Sequence, residues 1–301
     1  MASMQIREAE LDRDVPGLVS LIHETSPWTI RTEASWLHRY DTTPASAQQL
    51  LLVAEAEGQV VGQVTASLDF MTANSKALCA VAVRAAYRWR GIGLALYDAG
   101  EAHVRSLGAA RVVAGFEEND LGVRFAEDRG YKLSRTDTIS VLDPRSVTIP
   151  LSEDIPLLPA TEVDPHVVHR IDVTTMADMP FDGPIEEFDY DEWVKHVLDH
   201  PLYLPSGSYV AYADNEPAAV SMLIAELDVG RGANMFTGTL PKFRGRGLAL
   251  AAKVATMRWA AANGITEIIA NNDDTNAGML AINKRLGYQP VARRVEYSKD
   301  L

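Results

Sequence analysis

The stretch RWRGIGLAL, residues 88–96, returns almost unchanged as RGRGLALAA, residues 244–252. Each copy opens on an arginine, places two small residues one apart, and runs into good helix formers. A strand that enters a helix through glycines is suited to anions. The first helical turn has N–H groups without intrahelical acceptors and carries the positive end of the helix dipole. Glycines let a phosphate approach that backbone closely. Arg88, Arg90, Arg244 and Arg246 add charge nearby. Two phosphate motifs do not fit. No G-x-x-x-x-G-K-[ST] occurs, and GIGLAL lacks the third small residue and the distant acid of a dinucleotide fingerprint. One such stretch alone reads equally well as a tight turn, but two in the same context argue for a ligand.

The repeat extends past these residues. Arg88 matches Arg244 and Gly108 matches Gly264 at a spacing of 156 residues; Val53 matches Val210 and Gly130 matches Gly287 at 157. This predicts a tandem duplication. Its boundaries are expected at 1–145 for the first domain and 166–301 for the second, with a proline-rich linker at 146–165.

Within one copy, MQIREAEL reads as a strand and DVPGLVSLIHET as a helix opened by Asp14 with Pro16 in its first turn. Two β runs meet at Glu57-Gly58, a hairpin signal. KALCAVAVRA reads as an apolar strand. RGIGLALYDAGEAHVRSLG reads as a helix, with Leu94, Leu96, Tyr97, Ala102 and Val104 on or near its inner face and Gly108 as its stop. A buried strand (ARVVAGF), a helix ended by Gly130 and a last strand follow. The order predicts an α/β (α+β) fold with a mixed, twisted central sheet flanked by helices in each half.

Both glycine stretches resemble the arginine/glutamine-x-x-glycine-x-glycine/alanine signature of the GNAT superfamily of acyl-CoA-dependent N-acyltransferases. The matches are Arg88-x-x-Gly91-x-Gly93 and Arg244-x-x-Gly247-x-Ala249. The similarity runs upstream and downstream over most of both halves, and the chain looks like a tandem member of bacterial type. The resemblance implies that the turn and helix start bind the pyrophosphate of acetyl-CoA as co-substrate. These residues are Arg88, Trp89, Arg90, Gly91, Ile92, Gly93 and Leu94, and in the second half Arg244, Gly245, Arg246, Gly247, Leu248 and Ala249. It implies that the preceding strand, Val81, Ala82 and Val83 or Thr237, Gly238, Thr239 and Leu240, pairs with the pantetheine arm. It places Asn119 and Asn276 near the far side of the same ligand, and around the final helix the amides of Asn272, Asn276 and Asn283 could hold pantetheine and water.

Acyl transfer from a thioester to an amine needs a neutral amine. An amine of pKa near 10.4 is mostly protonated at neutral pH, a barrier of roughly 4–5 kcal/mol that a base can offset. The leaving thiol, pKa near 8.5, needs only about 2 kcal/mol. Here the chain departs from the family pattern. Many members place a tyrosine four residues before the glycine that ends the last helix; this chain has Ala126 and Asn283. No counterpart of the usual strand glutamate is found either. The general acid and base are therefore unassigned, with Asn283, Asp189 and Glu192 as candidates.

The segment 178–193 holds Asp178, Asp182, Glu186, Glu187, Asp189, Asp191 and Glu192 among Phe181, Phe188, Tyr190 and Trp193, with no Lys or Arg. Carboxylates interleaved with aromatics suit a cationic amine; the same composition also fits a solvated acidic loop. His196 and His200 have helical spacing but no third ligand, so no metal is expected. Cys79, the only cysteine, reads as a small buried hydrophobe, and Tyr131 and Tyr288 as core residues. With 28 basic against 41 acidic residues, a net charge of −13, neither nucleic acid nor an anionic membrane is expected as partner. The N-terminus turns acidic at once, without an apolar signal region, and no apolar run would span a bilayer. The expectation is a cytoplasmic monomer or homodimer that acetylates a small-molecule amine. The alternatives are a non-catalytic acyl-CoA-binding or sensing protein, and transfer to oxygen or of a longer acyl group.

Overall fold

The structure, a computed structural model, describes residues 4–71, 76–179 and 189–301. The chain forms two compact units. The first holds the residues up to 137 together with 292–301, and the second holds 138–179 and 189–291.

The first unit contains β1 (Gln5–Glu8), α1 (Leu11–Thr25), α2 (Glu33–Thr42), β2 (Leu50–Ala56), β3 (Gln59–Leu68), β4 (Lys76–Val83), α3 (Ile92–Ser106), β5 (Arg111–Glu117) and α4 (Asp120–Glu127). A further strand, β6 (Lys132–Leu142), leaves this unit at its midpoint. The second unit contains β7 (Leu157–Pro159), α5 (Pro165–Met176), α6 (Tyr190–Trp193), β8 (Tyr209–Ala213), β9 (Glu216–Glu226), β10 (Arg231–Thr239), α7 (Leu248–Ala262), β11 (Glu267–Asp273) and α8 (Ala277–Leu286). The last strand is β12 (Gln289–Asp300).

The strand order is β1-β2-β3-β4-β5-β12 in the first unit and β7-β8-β9-β10-β11-β6 in the second. Thus the final strand of each copy completes the sheet of the other. Arg294–Asp300 run antiparallel to Glu117–Arg111. The boundaries expected from the repeat, 145 and 166, therefore differ from the structural grouping. Proximity along the chain does not decide which sheet edge a strand joins. Nor is the proline-rich segment wholly irregular, because Leu157–Pro159 pair with Ala211–Tyr209 as an edge strand, where proline is tolerated.

Local chemistry accounts for the elements. The β2–β3 turn has Glu57 at φ +55° and Gly58 at φ +77°, and the β8–β9 turn has Asp214 and Asn215 at φ +53° and +60°. Two successive positive φ values match the right-handed twist of a hairpin. Asp14 does not open α1. The helix begins at Leu11, and the buried Asp14 carboxylate accepts from the Glu10 N–H at 2.8 Å and from Arg7 at 2.6 Å. On α3 the inner face is Ile92, Leu96, Tyr97, Gly100 and Val104. Leu94 and Ala102 face solvent, because the helical period carries them off that stripe. Tyr131 and Tyr288 are core residues. Cys79 is buried, and burial pushes its thiol up to about 12. Among the described residues no helix is long and apolar enough to cross a membrane, and no group of three or more His, Cys, Asp or Glu is placed to hold a metal ion.

Candidate functional site

In both units a pair of parallel strands parts midway. β4 and β5 are paired only over Lys76–Leu78 and Arg111–Val113; β10 and β11 only over Arg231–Ala233 and Glu267–Ile269. Beyond Leu78 and Ala233 each pair splays, leaving strand backbone available to an extended ligand. Val81, Ala82 and Val83 lie on one diverging stretch, and Thr237, Gly238 and Thr239 on the other.

Each splayed strand leads into its glycine turn. Arg88 Nε donates to Val83 O at 3.0 Å, and Arg244 Nε to Thr239 O at 3.3 Å. These two arginines hold the turn against the strand end. Arg244 also pairs with Asp178, and Arg246 forms a two-pronged pair with Asp214 at 2.6 and 3.0 Å. Gly91 and Gly247 cap α3 and α7 in the left-handed region, at φ +82° and +80°, with open space where a Cβ would stand. The first backbone bonds of the helices are Ala95 N–H to Gly91 O and Ala251 N–H to Gly247 O, both 3.0 Å. The N–H groups of Ile92, Gly93 and Leu94, and of Leu248, Ala249 and Leu250, therefore have no intrahelical acceptor. The side chains of Ile92 and Leu248 are buried, so only their backbone can serve a ligand. A Cβ on Gly93 would meet Val83 at 3.6 Å, an ordinary contact, which explains why Ala249 is accommodated in the second turn.

The turns differ at one position. Trp89 holds φ +63° and is 87% exposed, where the second turn has Gly245 at φ +76°. Asn119 and Asn276 are helix caps: their Oδ1 atoms accept from Gly122 N–H at 2.9 Å and Met279 N–H at 3.1 Å. Asn119 Nδ2 is also used, on Glu117 O at 2.7 Å.

The second unit has a polar cluster on the α7/α8 side of its splay. Lys253, on α7, is fully buried, and its Nζ donates to Asn234 Oδ1 and Asn283 Oδ1, both at 2.8 Å. Asn283 Nδ2 donates to Asn272 Oδ1 at 2.6 Å, and Asn234 Nδ2 to Met222 O at 3.0 Å and Phe236 O at 3.2 Å. Thr237 Oγ1 donates to Asn234 Oδ1 at 2.9 Å. These outer bonds fix both amides with oxygen toward the amine. Among the described residues no carboxylate pairs with Lys253, and burial lowers its pKa to about 7. At the same place β10 has a bulge: Asn234 faces Leu223 and Phe236 faces Met222, so Met235 has no partner. β4 keeps an unbroken register. A bulge interrupts the ladder and frees backbone donors, here beside the opening.

The first unit places different groups there. Tyr97 lies 156 residues before Lys253, and Ala126 stands where the second copy has Asn283. Tyr97 is buried, and burial and the Glu101 carboxylate push its phenol far above the ordinary value. Lys299 on β12 reaches Glu101 at 2.9 Å and the Tyr97 hydroxyl at 3.4 Å.

Of the candidate catalytic residues, Asn283 joins the cluster with Asn272, while Asp189 and Glu192 do not. Asp189 caps α6, accepting from Glu192 N–H at 2.8 Å, and both side chains are exposed. Phe181, Asp182, Glu186, Glu187 and Phe188 lie outside the described residues. The sequence reading missed Lys253 and Asn234. Lys253 had a legible signal, since it is a charge on the inner stripe of the alanine-rich helix LALAAKVATMRWAAA.

A parting parallel strand pair, followed by a glycine turn at a helix N-terminus and present in both units, defines an acyltransferase-type fold. The family model for the GNAT acetyltransferase family matches residues 15–131 and again 170–288, and the chain belongs to that family. No curated protein matches it. Among solved structures, a tandem GNAT protein from the clavulanic acid biosynthesis pathway is 16% identical, with a TM-score of 0.75 over 99% of this chain and 98% of that one. A GCN5-related N-acetyltransferase from Sphaerobacter thermophilus is 15% identical, with a TM-score of 0.73 over 99% and 95%. One from Kribbella flavida is 16% identical, with a TM-score of 0.54 over 88% and 95%. At these identities the likeness is one of fold.

Proposed function

We propose that the second unit transfers an acetyl group from acetyl-CoA to a primary amine of a small molecule. The observation that carries this reading is the bulge at Asn234–Phe236, set where β10 and β11 part and backed by the Lys253 amine. Acetyl-CoA would supply a thioester that an amine opens to an amide and a free thiol. The N–H groups of Leu248, Ala249 and Leu250 suit a pyrophosphate, and Thr237–Thr239 offer an edge for an amide-bearing arm. Met235, unmatched in the ladder, offers a backbone donor for charge that develops on a carbonyl oxygen. Lys253 Nζ, with a pKa near neutrality, can hold or release a proton beside the site.

Support for a cationic acceptor is narrower than the composition of 178–193 suggested. Asp178 is paired with Arg244 and Asp189 caps α6, which leaves Asp191 and Glu192 in the described part. The non-catalytic reading attaches to the first unit. Its turn is intact, but where the second unit has Lys253 and Asn283 it has Tyr97, whose phenol is pushed up by burial, and Ala126, which carries no titratable group.

Thiol release from acetyl-CoA, measured with a panel of small primary amines, tests the proposal. Amine-dependent release supports it. Binding of acetyl-CoA with no release for any amine would leave the protein as a binder.

A further inference from the structure

Three arginines of the first unit converge on the face of the sheet that carries α1 and α2. Val295 and Phe116 pair across β12 and β5 and belong to the core packed against α3 and α4. Their neighbours Arg294 and Glu117, also opposite one another, therefore project from the other face. They lie beyond the point where β4 and β5 part. Gly115 makes room for the guanidinium: a Cβ there would stand 2.7 Å from Arg294 Nη2.

The loop between α1 and α2 covers this place. Trp28 N–H donates to Glu117 Oε1 at 3.3 Å, tying the loop to the end of β5. His23 Nε2 meets Arg31 O at 2.8 Å, and a reciprocal Thr32–Ser35 capping box fixes the start of α2. Arg31 and Arg39 thus come from a braced loop and helix. Arg31 spends one N–H on Ser35 O at 3.4 Å; among the described residues Arg39 and Arg294 make no side-chain hydrogen bond, and none of the three forms an ion pair. In a chain with 41 acidic residues, Glu117 is the carboxylate that the described residues set beside Arg294, and like charges held near one another repel. Burial and repulsion from Arg39 pull Arg31 down to about 10. Crowding by neighbouring protein atoms and the Arg294 charge depress Arg39, while its side chain as a whole is exposed at the rim of the cluster.

We infer that Arg31, Arg39 and Arg294 form a binding site for a compact oxyanion, a carboxylate or phosphate group carried by a small molecule. The rigid fork of a guanidinium matches either group. The site is independent of whether the second unit transfers an acyl group.

The full chain is titrated by calorimetry with inorganic phosphate and, separately, with succinate. Arg39→Gln should weaken the response at least fivefold, and Arg294→Met at least tenfold, with acetyl-CoA binding unchanged in both. Whichever anion binds identifies the chemistry. In thermal melts without anion, Arg39→Gln should raise the Tm, because like charges are relieved; with anion, only the unsubstituted chain should gain. Arg39 is at the rim, so this variant tests the inference even if Arg294→Met folds poorly. No response to either anion overturns it. So does equal affinity in all three chains, or loss of binding only in Gly91→Asp, which would put the anion on the glycine turn.

Discussion

Lys253 Nζ and Asn283 Oδ1 stand 2.8 Å apart in the interior of the second unit, and among the described residues no carboxylate accompanies them. The amine has two amide oxygens, the Met279 sulfur at 3.8 Å and the Tyr288 ring at 5.3 Å, which supply hydrogen bonds and a ring face but no full counter-charge. Its proton is therefore weakly held.

That proton should be visible in stability. Unfolded, the amine titrates near 10.5; folded, near 7. Between those values the unfolded chain carries a proton that the folded one has released, so stability rises with pH across the window. Lys253→Met should remove this rise, which is at most about 1.4 kcal/mol per pH unit. Urea midpoints of both proteins from pH 7 to 10 check it; parallel curves would show that Lys253 stays protonated. Asn283→Ala, which removes one acceptor, should lower kcat with little change in KM for acetyl-CoA.

The two glycine turns should not be equivalent. Gly247 and Gly91 are both left-handed with open space around them, so Asn and Asp strain the backbone alike, but only Asp brings negative charge to the anion position. Gly247→Asp is expected to abolish turnover and Gly247→Asn to reduce it modestly. Gly91→Asp should leave most turnover intact. Thiol-release rates of the set decide, and the reverse pattern would assign catalysis to the first unit.

Asp172 is buried, accepts from Trp193 Nε1 at 2.7 Å, and is pushed by burial from 3.8 up to about 6. The folded state binds the extra proton here, so stability falls as pH rises from about 4 to 6. Asp172→Asn should flatten that fall and add on the order of 1–3 kcal/mol at pH 7. Denaturation profiles from pH 4 to 7 with an unaltered slope would contradict the assignment.

Gly238 brings β10 close against Thr175 of α5. A Cβ there would overlap Thr175 Oγ1 and stand 2.8 Å from Thr175 Cβ. Gly238→Ala must push the helix off the sheet and should cost about 2–3 kcal/mol. Adding Thr175→Ala should restore only part, since the Thr175 Cβ remains too near. Full tolerance in urea denaturation would mean that α5 shifts freely.

The duplication, the alternation of elements and both glycine turns were legible because each depends on local chemistry: positive φ at Gly91 and Gly247, helix starts at Ile92 and Leu248, the hairpin at Glu57-Gly58. What depends on distant partners was not. Whether Asp189 faces a ligand or caps its own helix is decided by backbone direction, and the charge of the 178–193 stretch is silent on it. Lys253 looked like one polar residue in an alanine-rich helix until β10, β11 and α8 brought Asn234, Asn272 and Asn283 around it. Arg31, Arg39 and Arg294 are scattered along the chain, and only the pairing of β12 with β5 brings the last of them to the others.

The exchange of final strands also sets an order of events during synthesis. The ribosome delivers residues up to 137 long before Arg294–Asp300, so β5 waits with an open edge while the whole second copy is made. An open edge invites pairing with the wrong chain. For that interval the first copy is a client for chaperones and a target for proteases. A stop codon near residue 290 would spare every residue of both glycine turns, yet leave the first unit's sheet short of a strand.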